Sequence, residues 1–404
     1  MKDLFIEDAT RAAGLLQMEA FRDRMGRHYA AQRNYDRGPG HHHGVSQLSP
    51  FVRRRLVTEE ELVRAALQSH SFSASEKFVQ EVYWRSYWKG WLERRPTVWA
   101  DYRRDAGREA RSWAGDRRLA AARDGRSGIA CFDAWVAELI ETGYLHNHAR
   151  MWFASIWIFT LSLPWELGAD FFLHHLLDGD PASNTLGWRW VAGLHTSGKA
   201  YAARASNIAK YTEDRFQPGP GDLNPRVEPL GWPTHPPVQP VRPMRTPDRA
   251  ARTLLLITEE DCCPEQLQAA LPDDLVGIAT LQLSGERTAA GSSPDVEAFD
   301  RAALADAGAR ARDAFGPKEV AIDDPNPEAL IACATGCRAT QIVTPFVPVG
   351  PVRDWMVRNQ GAFDQAGCPI TEVQRDWDRK VWPHATAGFF KVKKQIPKLI
   401  TDLG

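Results

Sequence analysis

His146, Asn147 and Arg150 interrupt a stretch that is otherwise apolar, with Met151, Trp152, Phe153, Ile156 and Trp157 following at once. At helical spacings of i, i+1 and i+4 they make a polar corner on an apolar helix, and such a corner has to be satisfied by something. Asp178 and Asp180, in the turn Leu-Asp-Gly-Asp, are natural partners for Arg150. Asn184 opens the next helix, where its amide caps the backbone or faces a ligand. Two chemistries fit this pattern: a buried salt-bridge corner between helices, or the lining of a bound group. Three histidines in a glycine-flanked loop, His41 to His43, lack the Asp, Glu or Cys neighbours of a metal site.

The elements needed to position these residues follow from hydrophobic periodicity. Residues 1–33 form a helix on the recurrence of Leu15, Leu16, Met18, Phe21 and Met25. Further helices are expected near 58–69, 75–92 (with Ser75 as its cap), 129–142, 145–161, 167–177 and 184–193. Ten prolines between Gln217 and Asp248 exclude helix and central strand, which leaves a semi-rigid extended tether. Beyond it, short apolar runs (254–257, 276–281, 320–322, 341–346, 370–373) alternate with helical stretches (264–271, 295–315, 326–335, 351–366). That alternation predicts a parallel sheet covered on both faces. The expected fold class is two domains: an N-terminal all-α domain (1–216), a Pro-rich linker (217–248) and a C-terminal doubly wound, Rossmann-like α/β domain (249–404). The latter carries no G-x-G-x-x-G and no P-loop.

A chain of 404 residues holds two full cores. Residues 1–216 carry 30 Lys+Arg against 26 Asp+Glu, and the remainder 20 against 25. The helical half is therefore slightly basic, a weak pointer to nucleic acid. Six cysteines without finger spacing, and no long apolar run, favour a cytoplasmic protein that does not enter the membrane. Fifteen tryptophans, most of them before Trp190, exceed what filling a core requires.

The blocks TGYLHNHARM (142–151), PWELGADFF (164–172) and LLDGDPASNTLGWRW (176–190) resemble, in order and spacing, the conserved blocks of the photolyase/cryptochrome family. VSQLSPFV (45–52), preceded by Tyr35, resembles that family's phosphate-cradling loop, and QEVYWRSYW (80–88) its substrate-side helix. The resemblance covers about 180 residues. It implies a helical FAD-binding domain of the photolyase type. Tyr35, Ser46, Gln47, Leu48 and Ser49 would contact the FAD phosphates, and Asn147, Arg150, Asp178 and Asp180 would surround the flavin and sugar. Asn184 would face the flavin N5. Glu81, Trp84, Tyr144 and Met151 match the pocket for a flipped-out pyrimidine dimer, with Glu81 also beside the flavin. Trp188, Trp165 and Trp113 match an electron relay.

The implied activity is light-driven repair of UV-damaged DNA: photoexcited reduced FAD splits a cyclobutane pyrimidine dimer, which makes the chain a deoxyribodipyrimidine photolyase, a monomer. A cryptochrome-type blue-light receptor without repair, or a (6-4) photolyase, are the alternatives. No residue identifies a second, antenna chromophore. Val45, Ser86, Tyr144 and Ala137 depart from the family pattern, chiefly on the substrate side. The family normally places its α/β domain first, so the order here implies a circular permutation. Arg53, Arg54, Arg55, Lys89, Arg94 and Arg95 are expected either to hold DNA phosphates or to form a solvated face.

Overall fold

Helix starts along the first half are set by short polar caps. Thr10 accepts from Ala13 N and begins α1 (Arg11–Phe21), and Thr58 and Glu61 form a reciprocal capping box at the start of α4. The computed structural model describes residues 8–403 except 197, 232–234, 324 and 402. The helical elements are α1, α2 (Arg27–Gln32), α3 (Ser49–Arg53), α4 (Glu59–Ser69), α5 (Phe72–Glu93), α6 (Thr97–Ser112), α7 (Arg117–Arg123), α8 (Ala130–Thr142), α9 (Asn147–Ser155), α10 (Trp165–His175), α11 (Pro181–Val191) and α12 (Ala205–Tyr211).

Several boundaries differ from the sequence expectation. The first helix, described from Arg11, is not continuous to residue 33: a 3-10 turn at Arg22–Arg24 and Gly26 break it. Ser71, not Ser75, caps α5, because Ser71 Oγ accepts from Ala74 N while Ser75 lies buried inside the helix. Helix α9 is shorter than 145–161 and passes into a π-turn at Ile156–Thr160. Helices α6 and α7 were absent from the expectation. In α6 only Val98, Trp99, Tyr102 and Ala106 are buried, a narrow stripe on a charged helix.

The second half is built on five parallel strands: β1 (Thr253–Thr258), β2 (Leu275–Leu281), β3 (Glu319–Ile322), β4 (Gln341–Pro345) and β5 (Ile370–Val373), in spatial order β3-β2-β1-β4-β5. This is the expected doubly wound sheet, with every anticipated strand in place. Helices α13 (Pro294–Phe315), α14 (Pro327–Gly336) and α15 (Pro351–Gln365) cross over between strands. Short helices α16 (Asp376–Val381), α17 (Phe390–Lys393) and α18 (Ile396–Thr401) follow β5.

The two halves share one core. Leu255 and Ile257 of β1, Phe299 of α13, Trp377 and Trp382 join the hydrophobic cluster of the helical half, whereas Leu254, Leu256 and Ile342 form a second cluster with α14 and α15 on the other face of the sheet. The period-2 alternation along β1 sends successive side chains to these two cores. The described residues of the proline-rich segment form no helix or strand, but they are not a free tether. Leu230 N donates to Ala192 O and Gln239 N to Arg94 O, and Arg242 makes a two-pronged pair with Glu372.

The largest departure concerns the basic residues 53–55 and 89. Arg53, Arg54, Arg55 and Lys89 are buried. Arg53 donates to Glu260 at 2.6 Å, Arg54 pairs with Asp300, and Arg55 bridges Asp378 (2.7 Å), Glu59 (3.2 Å) and Asp261 (3.4 Å). Arg95, also buried, donates to Thr386 O, and Arg94 donates to Trp382 O. These cations stitch the two halves together and are not a phosphate-binding face. Buried guanidinium groups require this, since an unpaired charge off water costs several kcal/mol.

Candidate functional site

A cavity of about 370 Å³ opens between α5, α9, α10 and α11. Glu81, Trp84, Arg85 and Trp88 line one wall, at helical spacings that put all four on one face of α5. Asn147, Arg150 and Met151 come from the first turns of α9, and Asp178 to Asp180, Asn184, Gly187 and Trp188 from the turn before α11 and from α11 itself.

The turn is held by backbone geometry. Helix α8 ends at Gly143 in the left-handed region (φ 64°), and Leu177 N donates to the Gly143 carbonyl at 2.8 Å. A side chain at 143 would be strained and would strike Leu177. Pro181 occupies the first turn of α11, and Asp180 caps it by accepting from Ser183 N at 2.9 Å.

The expected partnership of Arg150 resolves to one carboxylate. Arg150 donates to Asp178 Oδ2 at 2.9 Å and to the Leu145 carbonyl, which fixes the guanidinium at the cavity edge. Asp180 pairs instead with Lys89 (3.0 Å) and Arg85 (3.1 Å). Burial alone would raise the Asp180 pKa, but Lys89, Arg85 and Arg53 outweigh it and hold the carboxyl well below its ordinary range. Asn184 is buried one turn inside α11 and does not open it. Its Nδ2 donates to the Ala169 carbonyl at 2.8 Å, which orients the amide oxygen as an acceptor on the cavity wall.

Two polar atoms of cavity-lining residues, Asp178 Oδ1 and Trp188 Nε1, are buried with no hydrogen-bond partner among the described residues. At Gly187 no atom lies within 4 Å of where a side chain would begin, so the helix backbone is bare toward the cavity. Apolar walls from Trp84, Trp88, Met151, Phe172 and Trp188 flank this polar edge.

Not every anticipated residue lines the cavity. Tyr144 packs against His42 (ring centroids 5.3 Å apart) and under Arg150. Trp165 packs on Tyr102 (5.7 Å), and Trp113 is half-buried beside Arg118. In the loop before α3, Leu48 is a core residue, so only its backbone is available to a ligand. Gln47 there adopts φ 53°, Leu48 N donates to Ser46 Oγ, and Ser49 is exposed. Tyr35 packs edge-on against Tyr211. Glu81 pairs with Arg33 and is half-buried.

Arg85, Trp88 and Gly187 were missed by the sequence reading. The i, i+4 relation of Arg85 to Glu81, and of Trp88 to Trp84, is the signal that finds two of them. A second cluster lies outside the cavity. His42 Nε2 meets Glu138 at 2.8 Å, His42 Nδ1 is 3.8 Å from Asp36, and His146 stacks on His42 at 5.5 Å. Asp36, His42 and Glu138 lie within metal-binding reach of one another. Asp36 already accepts from Trp135, Arg215 and Gly38 N, whereas His42 Nδ1 and His146 Nε2 are buried with no hydrogen-bond partner among the described residues.

The description "FAD binding domain of DNA photolyase" matches residues 78–218, the stretch that carries most of the cavity. The deoxyribodipyrimidine photo-lyase of Streptomyces griseus is 38% identical over 154 residues, covering 38% of this chain and 33% of that protein. A counterpart from Thermus thermophilus is 33% identical over 196 residues, covering 47% and 44%. The crystal structure of a bacterial class III photolyase from Agrobacterium tumefaciens superposes with a TM-score of 0.43 at 24% identity, over 51% of this chain and 43% of that one. The chain thus spans less than half the length of the curated relatives it matches. Through the helical stretch that builds the cavity, residues 78–218, the chain is similar to the FAD-binding domain of DNA photolyases.

Proposed function

We propose that this chain binds FAD in the cavity and uses light to split cyclobutane pyrimidine dimers in UV-damaged DNA. The observation that carries the reading is the continuity of one cavity from the Arg150–Asp178 corner, through Asn184 and Trp188, to Glu81, Trp84 and Met151. Cofactor-side and substrate-side residues share a single space, as electron transfer between two bound groups requires. The donor set fits FAD: an unsatisfied buried carboxylate oxygen, an oriented amide oxygen, a bare helix backbone and aromatic walls.

When bound, reduced and illuminated, FAD supplies a single electron, and the protein's own residues do the rest. Arg150, tied to Asp178, places a fixed cation at the edge where negative charge collects, a preorganised electrostatic contribution. Asn184 offers a fixed acceptor to a ring N–H. Trp84, Met151 and the other apolar walls exclude water and receive the flat faces of an extruded pyrimidine dimer. Glu81, held by Arg33, stands where a pyrimidine edge would be read. Tyr35 and residues 46–49 remain the assigned phosphate contacts, with Ser46, Ser49 and backbone amides as donors. We read residues 1–216 and 249–404 as two domains joined by 217–248, in the permuted order.

The test is the visible spectrum of the purified protein, followed by illumination with oligonucleotides carrying each lesion type. Flavin colour and loss of cyclobutane dimers are expected. A colourless protein refutes cofactor binding, and a flavin-bearing protein inactive on dimers refutes repair. Glu81→Ala is expected to lower repair several-fold with flavin retained.

A further inference from the structure

One face of the cavity-lining Trp84 is already occupied. The Phe389 ring stacks on it with centroids 3.9 Å apart and planes at 13°, and meets Tyr87 edge-on at 5.7 Å. Phe389 is buried, but its neighbour Phe390, at the start of α17, is 73% exposed. Phe390 is thus an apolar ring left in water one residue from the wall of the cavity.

The charge of the segment that carries it has one sign. From Arg379 through Thr401 the chain carries six lysines and arginines and no aspartate or glutamate. Among the described residues Lys391 reaches only the Thr386 hydroxyl, at 3.2 Å. Lys393 is 3.6 Å from Glu76, a loose and half-exposed pair. Lys394 is exposed, and its ammonium has no hydrogen bond or ion pair among the described residues. The segment is nonetheless anchored: Val392 and Ile396 are buried, and Arg95 donates to the Thr386 carbonyl at 2.8 Å. It is therefore a fixed, cationic ledge bearing one exposed ring.

We propose that residues 388–394 form a nucleic-acid contact element at the cavity mouth, with Phe390 inserting beside the bases and Lys391 and Lys394 holding backbone phosphates. Taking the element to serve a lesion site rests on the repair reading above. Extruding a base leaves a gap in the stack, and an apolar wedge is the side chain that fills one. Phosphate contacts from lysine are insensitive to sequence and release counterions. Phe389 has the complementary role of a positioning residue, holding the Trp84 ring from behind.

The experiment titrates the flavin-loaded full chain against an undamaged duplex and the same duplex bearing one cyclobutane dimer, over a range of salt. Lys391→Ala/Lys394→Ala is expected to weaken both duplexes and to lower the slope of log affinity against log salt by roughly 1.8, or 0.9 per lost phosphate contact. Phe390→Ala is expected to weaken the dimer-bearing duplex several-fold at unchanged slope, with Phe390→Trp restoring it. All sites are on the surface, so thermal melting should not move. Unchanged affinity and slope in these variants overturns the proposal. So does an effect seen only on phosphatidylserine-containing vesicles, which would make the ledge a membrane contact. Equal wild-type affinity for the two duplexes refutes the repair reading alone, and the lysine slope on undamaged duplex still decides this one.

Discussion

Arg150 and Asp178 meet through a single oxygen: the guanidinium donates to Oδ2 at 2.9 Å, and Oδ1 of the same carboxylate stays buried and unpaired. A carboxylate half-satisfied in this way has room for one more donor, which the proposed flavin would supply. Arg150→Ala should leave Asp178 buried without its cation. The expected loss is about 1–3 kcal/mol, below the range for fully buried pairs because Arg150 retains some solvent contact. Flavin content after purification should fall with it. Asp178→Asn should keep the fold and reduce flavin retention less. Full flavin content in Arg150→Ala, read from the visible band per mole of protein, would refute the assignment.

The interior ion pairs carry a second prediction. Arg54 is fully buried, pairs with Asp300 of the α/β half, and lies over the Phe299 ring at 4.3 Å. Arg54→Ala should cost about 3 kcal/mol in urea denaturation, because Asp300 loses its nearest cation and keeps only Arg287, at 3.7 Å, and the Ser284 hydroxyl. Arg54→Met with Asp300→Leu should recover only part of that loss, because it strands Arg287, the other buried cation on Asp300, without its carboxylate. A double variant as stable as the wild type would refute this three-membered network.

These pairs also show where sequence alone stops. The strands of the α/β half were legible because parallel strands buried on both faces are short, continuous apolar runs. The cavity corner was legible because Asn147, Arg150 and Asp178 are polar residues in apolar surroundings. Arg53, Arg54 and Arg55 were not. A run of three arginines has the pattern of a basic surface, and its neutralising carboxylates Glu260, Asp300 and Asp378 lie more than 200 residues away along the chain. Only Glu59, four residues after Arg55, marks such a partnership locally. No local signal marks Phe389 on Trp84, a contact made only by tertiary packing.

A third prediction concerns pH. Burial first, then the neighbouring charges of Asp300 and Glu260, push the Glu259 pKa up to about 8. A carboxyl whose folded pKa is raised keeps its proton in the native state, while the unfolded chain releases it above its ordinary value near 4.5. Its contribution to stability is therefore lost as pH rises from about 4.5 to about 8. Glu259→Gln should gain on the wild type across that window and match it most closely below it. Taking the difference between the two proteins cancels groups such as His195, whose pKa burial lowers to about 3 and which acts in the opposite direction. A difference in unfolding free energy that stays flat from pH 4.5 to 8 would refute the assignment.

The last prediction turns on Trp188. Its ring lines the cavity, packs edge-on against Phe172 at 5.1 Å and Trp157 at 6.2 Å, and holds an Nε1–H with no partner. Trp188→Phe keeps an aromatic ring, removes the unpaired N–H and leaves a small void, at a cost of about 1–2 kcal/mol. If Trp188 is the first station of an electron relay, illumination of the oxidised protein with an external reductant should bleach the flavin several-fold more slowly in this variant. Repair by protein reduced chemically beforehand should be unchanged, because that reaction does not draw on the relay. From Trp165 the ring contacts lead through Tyr102 (5.7 Å) to Trp99 (5.4 Å from Tyr102), and the alternative exit is the proposed relay member Trp113. Trp113→Phe and Trp99→Phe distinguish them, since only the variant on the working route should slow bleaching. If Trp188→Phe bleaches at the wild-type rate, Trp188 is a wall of the cavity and no part of a relay.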